Sequence, residues 1–229
     1  MNITRRSNGL SNIGTFAAKT RSKVANITSP VSATLNFMNE ALTKFWNSQF
    51  EGFAPEAHNL KHEFKDRWVR FHSLPESKRY PESESEYQEV LSRNNLLLQE
   101  IFGLQSSLLV LLPEYSDSVE PIKPEIELHE LFPESTYWCS IAQHEEEDDD
   151  KFYWHLHAAK VTPNSIELNN LFRLVANDEV RNIIIVGIAS KTVFHPYDGG
   201  ADVILSSTQQ RNELKNKISM WLSAHPDGY

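Results

Sequence analysis

An apolar run at residues 182–189 constrains the fold of this chain more than any other feature. It contains three consecutive isoleucines, Ile183 to Ile185, followed by Val186, Gly187 and Ile188. A strand with apolar residues on both faces is typical of the centre of a sheet that is covered on both sides. We therefore predict an α+β fold, with a mixed or antiparallel sheet flanked by helices.

The periodicity of apolar residues, together with the residues that cap or end elements, places the other elements around this strand. Helical spacing of apolar residues and capping residues predict four helices, and alternation predicts the remaining strands. The predicted helices cover residues 35–46, 83–102, 162–176 and 207–224, the strands cover 67–72, 107–112, 136–142, 152–161 and 202–205, and polar connectors cover 51–65 and 113–132. The pattern indicates one domain over residues 31–229.

Charge divides the chain into a basic leader and an acidic body. Residues 1–39 carry five basic side chains and no acidic one, which leaves 17 basic against 31 acidic, a net charge of −14, for the rest. Residues 1–30 are predicted to be a flexible basic arm; an organellar transit peptide and an arm for nucleic acid or an acidic partner are the alternatives. The acidic body disfavours nucleic acid elsewhere.

Several classes of protein are excluded or disfavoured by what the sequence lacks. Cys139 is the single cysteine, so no internal disulfide forms and a reducing compartment, the cytoplasm, is expected. No apolar run is long enough to span a membrane, and no secretory signal is recognisable. The sequence contains no nucleotide-binding glycine loop, nucleophile elbow or zincin helix, so we predict no cofactor.

The segment from Arg67 to Pro81 is the first candidate site. It combines a strand, a proline-ended loop and a helix start with an unusual density of charged and aromatic side chains. The candidate binding residues here are Arg70, His72, Glu76, Lys78, Arg79 and Tyr80. Functional side chains often lie on a loop held by a rigid scaffold, and these cations favour an anion or an acidic group of a partner.

Two other interpretations of this segment remain open. In a purely structural one, Lys78 and Arg79 neutralise the acidic residues at the start of the next helix, while Tyr80 packs the helix entry. In the other, Asp66, Glu76 and Lys78 form a metal-dependent nuclease triad, although Pro75 interrupts the strand on which such a triad lies.

A second candidate is the pair His155 and His157, which the period of a strand places on one face. The pair is a metal half-site that needs further ligands from His144, His195 or Asp202; the alternative is the polar, half-exposed face of a sheet. The acidic loop at residues 145–150 is predicted to be solvated, with an acidic surface for a basic partner as the functional alternative.

The turn at residues 195–202 is the last candidate. Asp198 and Gly199 are predicted to form a tight hairpin turn with a positive φ angle. A role in the turn is the first interpretation of Tyr197, Asp198 and Asp202; they are added to the candidate binding residues because the two carboxylates could meet the arginines of the 67–81 segment across the sheet.

Two motifs resemble those of uncharacterised bacterial proteins. They are Trp68-Val-Arg-Phe-His-Ser-Leu-Pro-Glu-Ser-Lys-Arg-Tyr-Pro81 and Tyr197-Asp-Gly-Gly-Ala-Asp-Val203, the second followed by a helix with Trp221-Leu222. A related domain-of-unknown-function group has a Tyr-Asp-Asp-Arg-Gly turn, where this chain has Gly199 and Gly200. The resemblance covers about residues 65–102 and 193–229 and implies a bacterial, cytoplasmic protein with no assigned activity.

The motif-poor, acidic sequence predicts a non-catalytic binding protein, immunity-like or regulatory, with an anion- or partner-binding loop at residues 67–81. Its partner is expected to be another protein or a small anionic ligand. The negative surface of the chain favours a basic protein. The alternative is a metal-dependent hydrolase or nuclease that uses the His, Arg and Lys side chains of that loop.

Overall fold

The computed structural model describes residues 33–104, 106–143 and 152–223. The predicted basic arm, the acidic loop with His144, and the end of the last predicted helix at Ala224 lie outside them. Within the described residues, the elements are α1 (Ala33–Phe50), α2 (Ala57–Glu63), β1 (Trp68–His72), α3 (Glu84–Phe102), β2 (Leu108–Ser116), α4 (Ile126–Leu131), β3 (Thr136–Gln143), β4 (Phe152–Val161), α5 (Ile166–Ala176), β5 (Ile184–Gly187), β6 (Thr192–Tyr197), β7 (Gly200–Ile204) and α6 (Thr208–Lys217).

The seven strands form one sheet in the order β1-β7-β6-β5-β2-β4-β3, and every pairing is antiparallel. Side chains that alternate along β5 enter two different cores: Ile185 packs under α3 and α5, while Ile184 and Val186 pack under α1 and α2. The α+β fold with a sheet between helices is therefore confirmed, and the pairing is antiparallel throughout.

Helix α3 begins where its capping sequence predicts. Ser83 Oγ accepts a hydrogen bond from the Glu86 backbone N–H, while the Glu86 carboxylate accepts one from Glu82 N at 2.6 Å. These bonds satisfy backbone donors that the first turn leaves without partners. At the other end, Gly103 follows the last residue with a φ of 79°, a value that favours glycine.

Several elements differ from the prediction: strand β6 was not predicted, and the last helix, predicted over residues 207–224, is α6 and ends at Lys217. Helix α5 begins at Ile166 behind the cap Ser165, and not at Thr162, because Asn164 adopts a left-handed φ of 62°. Strand β2 continues through Pro113, since its pairing with β5 ends at Leu111 and proline is tolerated where a strand lacks one neighbour. The connector at residues 51–65 contains helix α2.

The hairpin between β6 and β7 was also predicted with the wrong backbone. Neither Asp198 nor Gly199 has a positive φ, so the turn does not depend on the left-handed conformation. The requirement for glycine lies one residue later and is one of space. A Cβ atom on Gly200 would lie 2.1 Å from the carbonyl oxygen of Phe71 on the neighbouring strand β1.

We expect Gly200→Ala to destabilise the protein by about 2 kcal/mol or more, because the clash is with a backbone atom and strands β1 and β7 must separate. Gly199→Ala is the matched control. The atoms nearest to its Cβ would be side-chain atoms of Tyr197 at 3.1 Å and Arg79 at 3.5 Å, and not backbone atoms. Urea unfolding of both variants measures the difference, and equal losses would contradict this assignment.

Candidate functional site

An open cleft of about 580 Å³ lies where β1, β6 and β7 end, beside α2 and the segment that precedes β5. Its charged lining side chains are Lys61, Arg70, Arg79, Arg181, Asp178, Asp198 and Asp202, joined by His58, His72 and His195. Of the predicted binding residues, the cleft therefore contains Arg70, His72, Arg79, Tyr197, Asp198 and Asp202. Their role in binding stays a prediction.

Strand register explains why these residues meet. Arg70 on β1 lies opposite Asp202 on β7, which lies opposite His195 on β6. One step toward the strand ends, His72, Gly200 and Tyr197 form a second such row. Because alternate residues of a strand share a face, both rows continue the face that is apolar at Trp68 and Ile204.

The Arg70 side chain is held in one orientation by three neighbours. Its Nε and Nη2 atoms donate to the two oxygens of Asp202 at 2.8 and 2.7 Å, and its guanidinium lies 4.7 Å from the ring centre of Tyr197. Trp68 Nε1 donates to the same carboxylate at 2.8 Å. The Asp202 side chain is buried and that of Arg70 is 14% exposed, so the bidentate pair fixes a partly buried guanidinium in the cleft.

Arg79 forms the second arginine–aspartate pair, at the rim. Its Nε donates to Asp198 Oδ2 at 2.6 Å, although the Arg79 side chain is 63% exposed. Tyr80 also donates its hydroxyl to Asp198, and this bond raises the pKa of the tyrosine. Tyr80 itself lies outside the cleft lining and supports the carboxylate from the side.

A third pair comes from residues that the sequence did not single out. Arg181 donates from Nε to Asp178 at 2.6 Å and pairs with it again through Nη2. Both belong to the connection between α5 and β5. Their spacing of three residues was the available signal, but nothing in the sequence places that connection beside the hairpin of β6 and β7.

Helix α2 supplies the other unpredicted members, His58 and Lys61. They are three residues apart and therefore share one side of the helix, while Ala57 and Leu60 are buried. Burial, followed by the nearby charge of Arg70, lowers the pKa of Lys61. Polar composition hid this helix, because only two of its seven residues are apolar.

Two histidines of the cleft are uncharged near neutral pH. Burial is the main cause that lowers the pKa of both His72 and His195, and the positive charge of Arg70 lowers that of His72 further. His195 Nδ1 donates to the carbonyl oxygen of Ile183 at 2.8 Å. An imidazole that donates from one nitrogen and is neutral carries a lone pair on the other.

The backbone around the cleft is strained. Ser77, Asp178 and Asn182 line it and have φ angles of 57°, 61° and 58°, and Glu76 beside Ser77 has 56°. Residues other than glycine rarely adopt these values, and such strain concentrates at functional sites. The loop that follows Pro75 is thereby turned toward the cleft at the cost of local backbone energy.

Three members of the predicted loop do not line the cleft: Tyr80, described above, Lys78 and Glu76. Lys78 pairs with Glu86 at 2.7 Å and Glu82 at 3.1 Å, as the structural interpretation of this loop expects, whereas Arg79 does not. Glu76 is exposed. The proposed nuclease triad is not assembled, because Asp66 precedes β1 and accepts from Thr208 while Lys78 is held by Glu86.

His155 and His157 lie away from the cleft, on β4, and the expectation of a half-exposed polar face is wrong. They are 0% and 6% exposed, because residues 117–125 cover them. His155 Nε2 is 3.1 Å from the Ser118 oxygen, and His157 Nε2 is 3.0 Å from the Ile122 oxygen. In the described part of the chain, no group of three or more His, Cys, Asp or Glu residues is placed to hold a metal ion.

We expect Asp202→Asn to lower the free energy of unfolding by about 3 kcal/mol, because it leaves the buried Arg70 charge without its counter-ion. Asparagine still accepts a hydrogen bond from Trp68, so the loss reports the charge. Asp178→Asn removes the same charge from the exposed pair with Arg181, and its cost should stay below about 1 kcal/mol. Urea unfolding compares the two, and similar losses would contradict the central place of Asp202.

The lowered histidine pKa values predict a dependence of stability on pH. Below the ordinary histidine pKa of 6.5, the unfolded chain takes up protons that the folded chain does not. The free energy of unfolding therefore decreases as the pH is lowered. Glu114, whose pKa is raised by burial, acts in the opposite direction. Comparing His195→Gln with the unchanged protein between about pH 7.5 and 5.5 isolates one histidine, and the variant should lose less stability. An identical loss in both proteins would count against a neutral His195.

Comparison with known proteins gives one match. A family model described as a domain of unknown function, DUF3885, matches residues 57–226, including the middle region that the motif resemblance left out. Searches of the curated proteins and of the solved structures found no match. Among the described residues, no helix is both long and apolar enough to cross a membrane. With more than half of its length matched, the chain belongs to the DUF3885 family of domains of unknown function.

Proposed function

We propose that this chain is a non-catalytic binding protein whose cleft takes an anionic group. The observation that carries the proposal is the state of Arg79. Its Nε is fixed by Asp198, and its two Nη groups make no hydrogen bond to any residue that the structure describes. A guanidinium fixed on one side and open on the other is suited to a carboxylate or phosphate.

The other cations support the same interpretation. Arg70 and Arg181 are each held by one aspartate, and Lys61 lies beside Arg70. An anion in the cleft is close to four cations and three carboxylates, against a net charge of −14 for the body of the chain. The local field is therefore more positive than the rest of the surface, which favours entry of an anion into this cleft.

The occupant can be a small ligand or an acidic group on another protein. The cleft volume of about 580 Å³ falls in the range of small-molecule sites, which favours the small ligand. An immunity-like or regulatory role in a bacterial cytoplasm remains part of the proposal, supported by the acidic body, which attracts a basic partner. Such a partner should dissociate as salt rises, because surface charges are screened.

The alternative of a metal-dependent hydrolase or nuclease gains no support from the side chains described above. Lys78 points to Glu86, and the two histidines of β4 are bonded to backbone carbonyls. A titration with Mg²⁺, Mn²⁺ and Zn²⁺ tests it separately. Stoichiometric binding of one of these ions that is lost in His155→Ala, His157→Ala would favour the alternative over the proposal.

Calorimetry with inorganic phosphate and with citrate tests anion binding. We expect Arg79→Gln to weaken the tighter of the two by at least about tenfold, since a charge-assisted hydrogen bond contributes about 1.5–3 kcal/mol. Lys78→Gln is the control. It removes the same charge from the neighbouring residue, whose side chain faces Glu86 and not the cleft. Equal weakening in both variants would show only a general charge effect, and absence of binding to either anion would overturn the proposal.

A further inference from the structure

The cleft contains hydrogen-bond acceptors beside its cations. His195 uses the Nδ1 proton for the Ile183 carbonyl, so its Nε2 is left as an acceptor. His72 has the same arrangement: its ring donates to the carbonyl of Gly199, and its Nε2 has no hydrogen-bond partner among the residues that the structure describes. A buried polar atom without a partner is rare in a folded protein and calls for an explanation.

Both imidazoles lie on the same face of the sheet as Arg70. His72 is two residues from Arg70 on the same face of β1, a separation of about 7 Å between the backbone positions. His195 is in the row that runs from Arg70 through Asp202. One group bound at Arg70 is thus within reach of an arginine that donates and of imidazoles that accept.

The aspartates of the cleft add further acceptors and negative charge beside the arginines. Asp178, Asp198 and Asp202 all line the cleft, and each is bonded to an arginine. An oxyanion without a proton is attracted by the arginines but meets lone pairs and negative charges on its other side. An oxyanion that keeps a proton can accept from arginine and donate to an imidazole or a carboxylate, so every group finds a partner.

From this arrangement we propose that the ligand is an oxyanion that retains a proton, as hydrogen phosphate or the protonated form of a phosphate monoester does. The proposal rests on the anion-binding function above and names its ligand class. Arg70 and Arg79 bind the charged oxygens, and the Nε2 atom of His195 or of His72 accepts the proton of the single P–OH group. Sulfate has the same shape as phosphate but no proton, so the cleft discriminates against it.

The test compares phosphate, methyl phosphate, sulfate and methyl sulfate by calorimetry at about pH 6, where the phosphates keep a proton and the sulfates do not. We expect each phosphate to bind at least tenfold more tightly than the matching sulfate. Equal or tighter binding of sulfate overturns this proposal while leaving anion binding intact. Absence of binding by all four overturns both. Tighter binding of methyl phosphate than of inorganic phosphate would identify an ester as the ligand.

Two further measurements connect the preference to the histidines. Long-range proton–nitrogen spectra of the full chain should show His72 and His195 protonated at Nδ1 and unprotonated at Nε2, with phosphate shifting the Nε2 signals. A His195 ring protonated at Nε2 overturns the proposal without any substitution. Because one of the two rings accepts the P–OH proton, the preference for phosphate should fall below about threefold in His72→Phe or in His195→Phe, provided that the urea midpoint shows that the variant folds, while Lys78→Gln keeps it in full.

Discussion

The pairing of Arg70 with Asp202 joins the fold of this protein to its cleft. The pair bridges β1, which is the edge strand of the sheet, and β7, its neighbour there. Trp68, which donates to the same carboxylate, is packed in the core beneath α1 and α2. Asp202 thus links edge strand β1 to β7, and the apolar part of this face of the sheet ends at Asp202. Beyond it, the strands carry the polar rows that form the cleft.

Such a pair is an expensive way to stabilise a sheet. Taking two charges out of water costs several kcal/mol for each ion, and apolar side chains of similar size stabilise a core at least as well. What the pair provides is orientation: two hydrogen bonds and the Tyr197 ring leave the guanidinium little freedom. A cation that is ordered before a ligand arrives loses less entropy on binding, which is consistent with a site.

Local patterns in the sequence predicted most of the elements, though not α2 or β6, and the distances between elements were out of reach. Residues 67–102 follow the prediction because the alternation of β1, the capping of α3 by Ser83 and the stop at Gly103 are all local signals. The contact of the arginines with Asp198 and Asp202 was expected and is present. The pairing of β1 with β7 brings these side chains together. The signal in the sequence was the density of turn and charged residues in both segments.

The parts that the sequence did not give depend on how distant segments pack. Helix α2 buries only Ala57 and Leu60, too few apolar positions for a periodic pattern, so His58 and Lys61 could not be assigned to a face. Asp178 and Arg181 line the cleft only because of where the α5–β5 connection lies in the fold. The burial of His155 comes from a covering segment of irregular backbone, which periodicity does not detect.

The chemical character of the cleft follows from pairing and not from net charge alone. Each arginine is already balanced by an aspartate, so Lys61 supplies the remaining positive charge of the cleft. Neutral imidazoles add acceptors at the same depth, because burial disfavours their protonated forms. The lining therefore contains hydrogen-bond donors and acceptors side by side. Ser77 and Asp178, which line the cleft, have left-handed φ angles of 57° and 61°.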